Sequence, residues 1–159
     1  MFKRVDANID LPSVESEISA YWDKINAFET SVENRKNDKT FRFYDGPPFP
    51  TGSPHYGNLL AGVIKDIVPR YWTMRGYYVE RRFGWDVHGL PIEMEVQKKL
   101  NLEDPQQIDE YGIDKFNEAC RSQVQTNTEN WEKITRKIGR WVDFENDYKT
   151  MDIEFMESV

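Results

Sequence analysis

Cysteine is almost absent. Cys120 stands alone among 159 residues, so no intrachain disulfide and no cysteine-based zinc site can form, and a reducing, cytoplasmic setting is expected. Nothing approaches the ~18 consecutive apolar residues of a membrane span, so no membrane association is expected. Met1 to Asp6 lead into Ala, Asn and Asp rather than the apolar core of an export signal. Basic charge is also short. Lys and Arg number 21 against 28 Asp and Glu, and a net charge of −7 excludes capture of DNA or RNA by phosphate attraction alone. Any RNA contact must be local, and no DNA contact is expected. The chain is 38% hydrophobic and 14% aromatic, which is too apolar for a disordered chain and fits one soluble domain with a real core.

Along the chain, Pro12 opens a helix whose apolar positions Val14, Ile18, Tyr21, Trp22 and Ile25 form one stripe. The polar, Asn-rich run 30–39 reads as a surface connection, placing a boundary near residue 40. Residues 1–40 are thus a helical extension and linker, and 41–159 a second unit. Phe41 to Asp45 has strand character, with Phe41 and Phe43 on one face. A loop of Gly46, Pro47, Pro48, Phe49, Pro50, Thr51, Gly52, Ser53 and Pro54 ends it. Leu59 to Tyr71 carries helical periodicity stopped by Gly76, with Pro69 expected to kink the helix or split off its last turn.

Tyr77 to Phe83 is a second strand candidate, and strand, helix, strand makes one parallel, right-handed unit. Its two Gly/Pro-rich loops then lie at the carboxyl ends of neighbouring strands, where open α/β sheets bind ligands. Further on, 92–100 reads as a short helix, 102–111 as a polar connection and 113–138 as a long helix. Residues 139–148 break it, and 152–159 open a helix without a stop signal, so the chain reads as cut.

The two histidines carry the chemistry, because His55 and His88 each fall in one of those loops. Each could simply cap its loop; their paired placement favours a site. His55, Tyr56, Gly57 and Asn58 open a helix, whose unpaired N–H groups and positive dipole end suit phosphate. Gly57 permits close approach, and His55 could donate to phosphate oxygens in a transition state.

The run Tyr44 to Asn58 resembles the first signature of class I aminoacyl-tRNA synthetases, a His-Ile-Gly-His motif. Asp45-Gly46-Pro47-Pro48 before it, Gly84-Trp85-Asp86-Val87-His88-Gly89-Leu90-Pro91-Ile92-Glu93 after the second strand, and Asp147 to Asp152 are similar to the isoleucyl-tRNA synthetase family. The resemblance covers nearly the whole chain. It implies an α/β fold, the N-terminal part of a Rossmann-like doubly wound parallel sheet, in a catalytic domain preceded by a helical extension. It also implies isoleucine, ATP with Mg2+ and tRNA as partners.

Under this resemblance Pro54, His55, Tyr56, Gly57 and Asn58 would bind ATP, with His55, Gly57 and Asn58 catalytic. Gly46, Pro47 and Pro48 would wall the amino-acid and adenylate pocket. Asp86 would hold the substrate ammonium and His88 would lie near the adenylate. Asn58 departs from the pattern, which has a second histidine there; an Asn amide can still donate at shorter reach. The family's second, lysine-rich ATP loop is absent, as are editing and anticodon domains, so the 159 residues read as an N-terminal piece inactive alone.

Alternatives are a valyl- or leucyl-type relative, or a small nucleotidyltransferase using the same helix start for ATP. A non-catalytic RNA-binding module fits the acidic balance poorly. Trp22, Trp72, Trp131 and Trp141 read as packing residues and Cys120 as structural. Trp85 could pack or line the pocket, and Arg81-Arg82 reads as a charged strand edge.

Overall fold

The computed structural model describes residues 8–159. The leader expectation for residues 1–6 lies outside the described residues. Helix α1 (Leu11–Lys24) starts with Pro12 in its first turn, as its sequence predicts. Its stripe is not buried, for Val14, Ile18, Tyr21 and Ile25 are all exposed. Trp22 alone turns inward, edge-on to Trp141 at 5.2 Å. After a left-handed turn at Asn26, α2 (Ala27–Glu33) occupies the start of the expected polar connection. There the polar side chains bond along their own helix, Ser31 donating to the Phe28 carbonyl, and so do not break it.

Helix α3 (Tyr56–Met74) runs unbroken through Pro69, correcting the expected split. The Pro69 carbonyl accepts from the Thr73 hydroxyl at 2.8 Å and from Arg81 Nη2 at 3.1 Å. These bonds tie the last turns of the helix to each other and to the segment that follows. Gly76, at φ 87°, ends it.

The predicted strand at 41–45 forms no regular ladder; at its start lies one isolated parallel bridge, Thr40 to Tyr78, with the Phe41 N–H donating to the Tyr78 carbonyl at 2.9 Å. Residues 41–44 nonetheless alternate, Phe41 and Phe43 half-buried, Arg42 and Tyr44 exposed. The predicted second strand shifts to β1 (Arg82–Trp85), beyond the bridge at Tyr78. Its partner is β2 (Asp143–Lys149), parallel to it and drawn from the run read as a break. Asp143, Glu145, Asn146 and Asp147 disguise this strand. Three residues of β1, Arg82 to Gly84, span the six from Asp143 to Tyr148 of β2. The Asp143 carboxylate takes up this bulge by accepting from the Glu145 and Asn146 N–H groups at 2.9 and 3.0 Å.

Between the strands lie α4 (Leu90–Leu100), α5 (Pro105–Tyr111) and α6 (Ile113–Lys137). The sequence predicts α4 and α6. Helix α5 corrects the expected polar connection, because Asp104 caps it by accepting from the Gln107 N–H and Pro105 fills its first turn. Helix α7 (Ile153–Glu157) follows β2. The core joins Phe83, Trp85 and Val87 on and after β1 to Ile92, Val96, Phe116, Val124, Trp131 and Phe144. Among the described residues no helix is long and apolar enough to cross a membrane.

Candidate functional site

At the start of α3 the His55 ring turns back over the first turn. Its Nδ1 accepts from the Gly57 N–H at 3.1 Å and the Asn58 N–H at 3.4 Å, while Asn58 Oδ1 accepts from the His55 N–H at 3.0 Å. This reciprocal capping box gives partners to the Gly57 and Asn58 donors of the first turn. Gly57 is required by it, because a Cβ there would stand 2.9 Å from His55 Cε1. With Nδ1 accepting, a neutral His55 carries its proton on Nε2. His55, Tyr56 and Gly57 are exposed.

The first loop is tied down from behind. The Asp45 side chain is 8% exposed and lies between two cations, Lys65 Nζ at 2.6 Å and Arg140. Lys65 also donates to the Gly46 carbonyl at 2.7 Å, so α3 grips the loop where the two prolines follow. A cavity of about 190 Å³ lies between loop and helix, lined by Gly46, Pro47, Pro48, Pro54, Asn58 and Lys65 among others. Sequence reasoning missed Asp45, Lys65 and Arg140 as members of this arrangement. A signal existed, since Lys65 and Asp66 interrupt an otherwise apolar run.

A backbone bond joins the second loop to the first: the Asp86 N–H donates to the Pro48 carbonyl at 2.9 Å. Thr150, buried at 6% exposure, knits that loop together. Its hydroxyl accepts from the Val87 N–H at 2.9 Å and lies 2.8 Å from His88 Nδ1 and 3.4 Å from Asp86 Oδ1. Its own N–H donates to the Trp85 carbonyl at 3.0 Å. Tyr148 packs against Gly84, where a Cβ would collide with its ring. Burial, then the charges of Asp45 and Asp86, push its phenol above the ordinary tyrosine value.

Not every predicted residue reaches the cavity. His55, Tyr56 and Gly57 stay on the exposed first turn, and Asp86 and His88 connect to it through Pro48. Two larger clefts, of about 700 and 860 Å³, hold none of the predicted site residues. Arg81 is no strand-edge charge: it is buried, with Nη2 on the Thr73 hydroxyl and the Pro69 carbonyl. Burial lowers its pKa to about 10 against the opposing pull of Asp66. Trp85, at 1% exposure, belongs to the core, its Nε1 donating to Asp147 Oδ2 at 2.7 Å. Trp22, Trp72, Trp131 and Trp141 pack as expected, Trp72 stacked on Phe41 and Trp131 bonded to the Gly52 carbonyl. Burial and then Glu93 push the Cys120 thiol up, the opposite of activation. Among the described residues no cluster of His, Cys, Asp and Glu could hold a metal ion.

Comparison with known proteins adds a lineage to this geometry. The chain is 51% identical over all 159 residues to an isoleucine–tRNA ligase of Treponema denticola, covering 14% of that protein. It is 54% identical over 148 residues, 93% of the chain, to a cytoplasmic isoleucine–tRNA ligase of Arabidopsis thaliana, covering 12% of it. A ligase of the same name from Mycobacterium tuberculosis is 54% identical over 150 residues, 94% of the chain and 14% of the relative. The chain thus spans about one seventh of the length of these relatives. In fold it is similar to LeuRS from Agrobacterium radiobacter K84, solved as a ternary complex with tRNA and LeuAMS. That match has TM-score 0.66 and 21% identity, over 93% of this chain and 16% of the other. A model of the class I tRNA synthetases specific for I, L, M and V matches residues 17–159, which leaves the nucleotidyltransferase alternative unfavoured. The chain belongs to the class I tRNA synthetase family.

Proposed function

We propose that this chain forms the amino-acid and ATP-phosphate side of an isoleucine–tRNA ligase site, on the first part of a Rossmann-like doubly wound sheet of the cytoplasm. A helical extension, 1–40, would precede the catalytic unit, 41–159. The relatives' names support isoleucine over valine or leucine. The observation that carries the reading is the bond from the Asp86 backbone N–H to the Pro48 carbonyl, which joins the second loop to the loop of Gly46, Pro47 and Pro48. Asp86 would hold the isoleucine ammonium by a charge-assisted contact, and His88 would stand near the adenylate.

ATP enters as its Mg2+ complex. Pro54 to Asn58 would receive its phosphates at the α3 start, with His55 Nε2 donating while the cap holds Nδ1. The isoleucine carboxylate attacks the α-phosphorus, the bond to the β-phosphate oxygen breaks, and pyrophosphate leaves. The terminal ribose hydroxyl of tRNA then takes the acyl group, releasing AMP. Most tRNA contacts would come from parts of the ligase outside this segment.

The test is a pair of variants in a ligase of the relatives' length carrying this segment. His55→Ala should slow isoleucine-dependent ATP–pyrophosphate exchange by about 100-fold, the effect of one lost transition-state donor. Asp86→Asn should weaken isoleucine binding by about 1.5–3 kcal/mol and leave ATP binding unchanged in calorimetry. If Asp86→Asn weakened ATP and spared isoleucine, the assignment of the second loop would be wrong.

A further inference from the structure

Thr150 lies on neither Gly/Pro loop and touches three consecutive residues of the second one. Its hydroxyl has one proton to give and two lone pairs to receive with. One lone pair is committed to the Val87 N–H at 2.9 Å. The single proton has two possible destinations, His88 Nδ1 at 2.8 Å and the Asp86 carboxylate at 3.4 Å. A His88 Nδ1–H donating to the hydroxyl would send the hydroxyl proton to Asp86, but 3.4 Å is long for an O–H donor, which favours the histidine as the acceptor. The imidazole is then left with its own proton on Nε2, and the Asp86 carboxylate keeps its lone pairs.

The anchoring is firm on both sides. Thr150 is buried, its N–H is bonded to the Trp85 carbonyl at 3.0 Å, and Trp85 is itself core. Val87, the residue between the two functional side chains, is 2% exposed. The hydroxyl therefore sits on a fixed framework, and the 86–88 loop is set against it.

We infer that Thr150 is a positioning residue: its hydroxyl fixes the 86–88 loop through Val87, holds neutral His88 as the Nε2–H tautomer, and touches the Asp86 carboxylate only by the long 3.4 Å contact, leaving it open to a cationic group of the substrate. The functional half of this inference rests on the proposed placement of Asp86 and His88 at the substrate. The hydroxyl assignment stands on the geometry alone.

The 159-residue chain suits a direct test because it has only two histidines. Nitrogen-15 NMR of the two imidazoles above their titration range reads which nitrogen carries the proton, and a His88→Gln sample assigns the signals. In the unsubstituted chain His88 should be held as Nε2–H, with an exchange-protected hydroxyl proton showing a cross-peak to its ring. Thr150→Ser should keep both signatures. Thr150→Val should lose the hydroxyl signal and move His88 to the tautomer mixture of the chain unfolded in urea, with His55 unchanged.

A proton on His88 Nδ1 in the unsubstituted chain would overturn the assignment, because the hydroxyl would then have to serve Asp86. So would a His88 tautomer mixture matching the urea-unfolded chain. These two readings need no variant, so they decide the matter even if Thr150→Val fails to fold. In the proposed ligase, Thr150→Val should raise the KM for isoleucine in pyrophosphate exchange about tenfold, as expected for one lost hydrogen bond, with Thr150→Ser within about twofold. Expected spectra with an unchanged KM would overturn the substrate-site reading of Asp86 and His88 and leave the tautomer assignment in place.

Discussion

The half of the molecule built on β1, β2, α4 and α6 holds the buried core, although Leu90, Met94 and Ile113 at its edges are exposed, while α1 and α3 hold most of their apolar side chains in solvent. Phe83, Val96, Val124 and Trp131 are all 5% exposed or less, whereas Leu60, Ile64, Ile67 and Met74 on α3 are 55–72% exposed. Both α3 and α6 carry apolar residues at helical spacing. What differs is the presence of a facing element, and the two regions are held by different forces. The first is held by burial, at roughly 25 cal/mol per Å² of apolar surface. Helix α3 is held by polar tethers at named points. His55 and Asn58 cap its start, Lys65 pairs with Asp45, and Asp66 pairs with Arg70 at 2.6 Å and accepts from the Trp141 N–H at 3.0 Å. Arg70 reaches the Gly139 carbonyl and lies over the Trp141 ring at 4.1 Å. An apolar stripe specifies a face; tethers can dock a helix without covering it.

The largest expected effect tests that contrast directly. Phe83→Ala should cost about 3–5 kcal/mol in urea unfolding, as aromatic truncations in packed cores do. Ile64→Ala, on the exposed face of α3, should stay within about 0.5 kcal/mol of the parent. Equal losses would mean that the α3 face is covered in solution and would erase the distinction.

An intermediate effect should follow from the tether at the helix start. Asn58→Ala removes the amide that accepts from the His55 N–H, and its loss should cost about 1 kcal/mol. It should show as faster hydrogen exchange of the first α3 amides, with amides of β1 and α6 unaffected. Slowed or unchanged exchange there would show that the capping box is not what holds this end.

The smallest effect concerns Tyr148, which bridges the regions by packing on Gly84 beneath the Asp45 carbonyl. Its phenol pKa is raised in the fold, so the folded state prefers the neutral form. That stability is complete below the unfolded value of about 10 and is lost as pH rises through the higher folded value. Tyr148→Phe should flatten the alkaline fall in stability relative to the parent. An unchanged alkaline slope would mean that burial and the charges of Asp45 and Asp86 do not raise this phenol's pKa.

Both loops of the candidate site were legible in the sequence because glycine, proline and histidine mark local backbone states that no distant contact needs to supply. Helices α1, α3, α4 and α6 were legible from spacing and stop signals for the same reason. Strand β2 was not: Asp143, Glu145, Asn146 and Asp147 read as a loop, and pairing with β1 plus the Asp143 bulge made them a strand. Helices α2 and α5 were hidden by polar composition that side-chain bonds along the helix and at its cap turned to use. Arg81 read as a surface charge, and only the packing of α3 against that strand buried it.

The sequence by itself determined which residues cap, turn and alternate, because those preferences are local. Only the tertiary structure decided that Asp45 pairs with Lys65 and Arg140, that Asp86 bonds Pro48, and that Thr150 stands among Asp86, Val87 and His88. Such partners lie tens of residues apart in the chain, and nothing in a local pattern records which distant group will close on them.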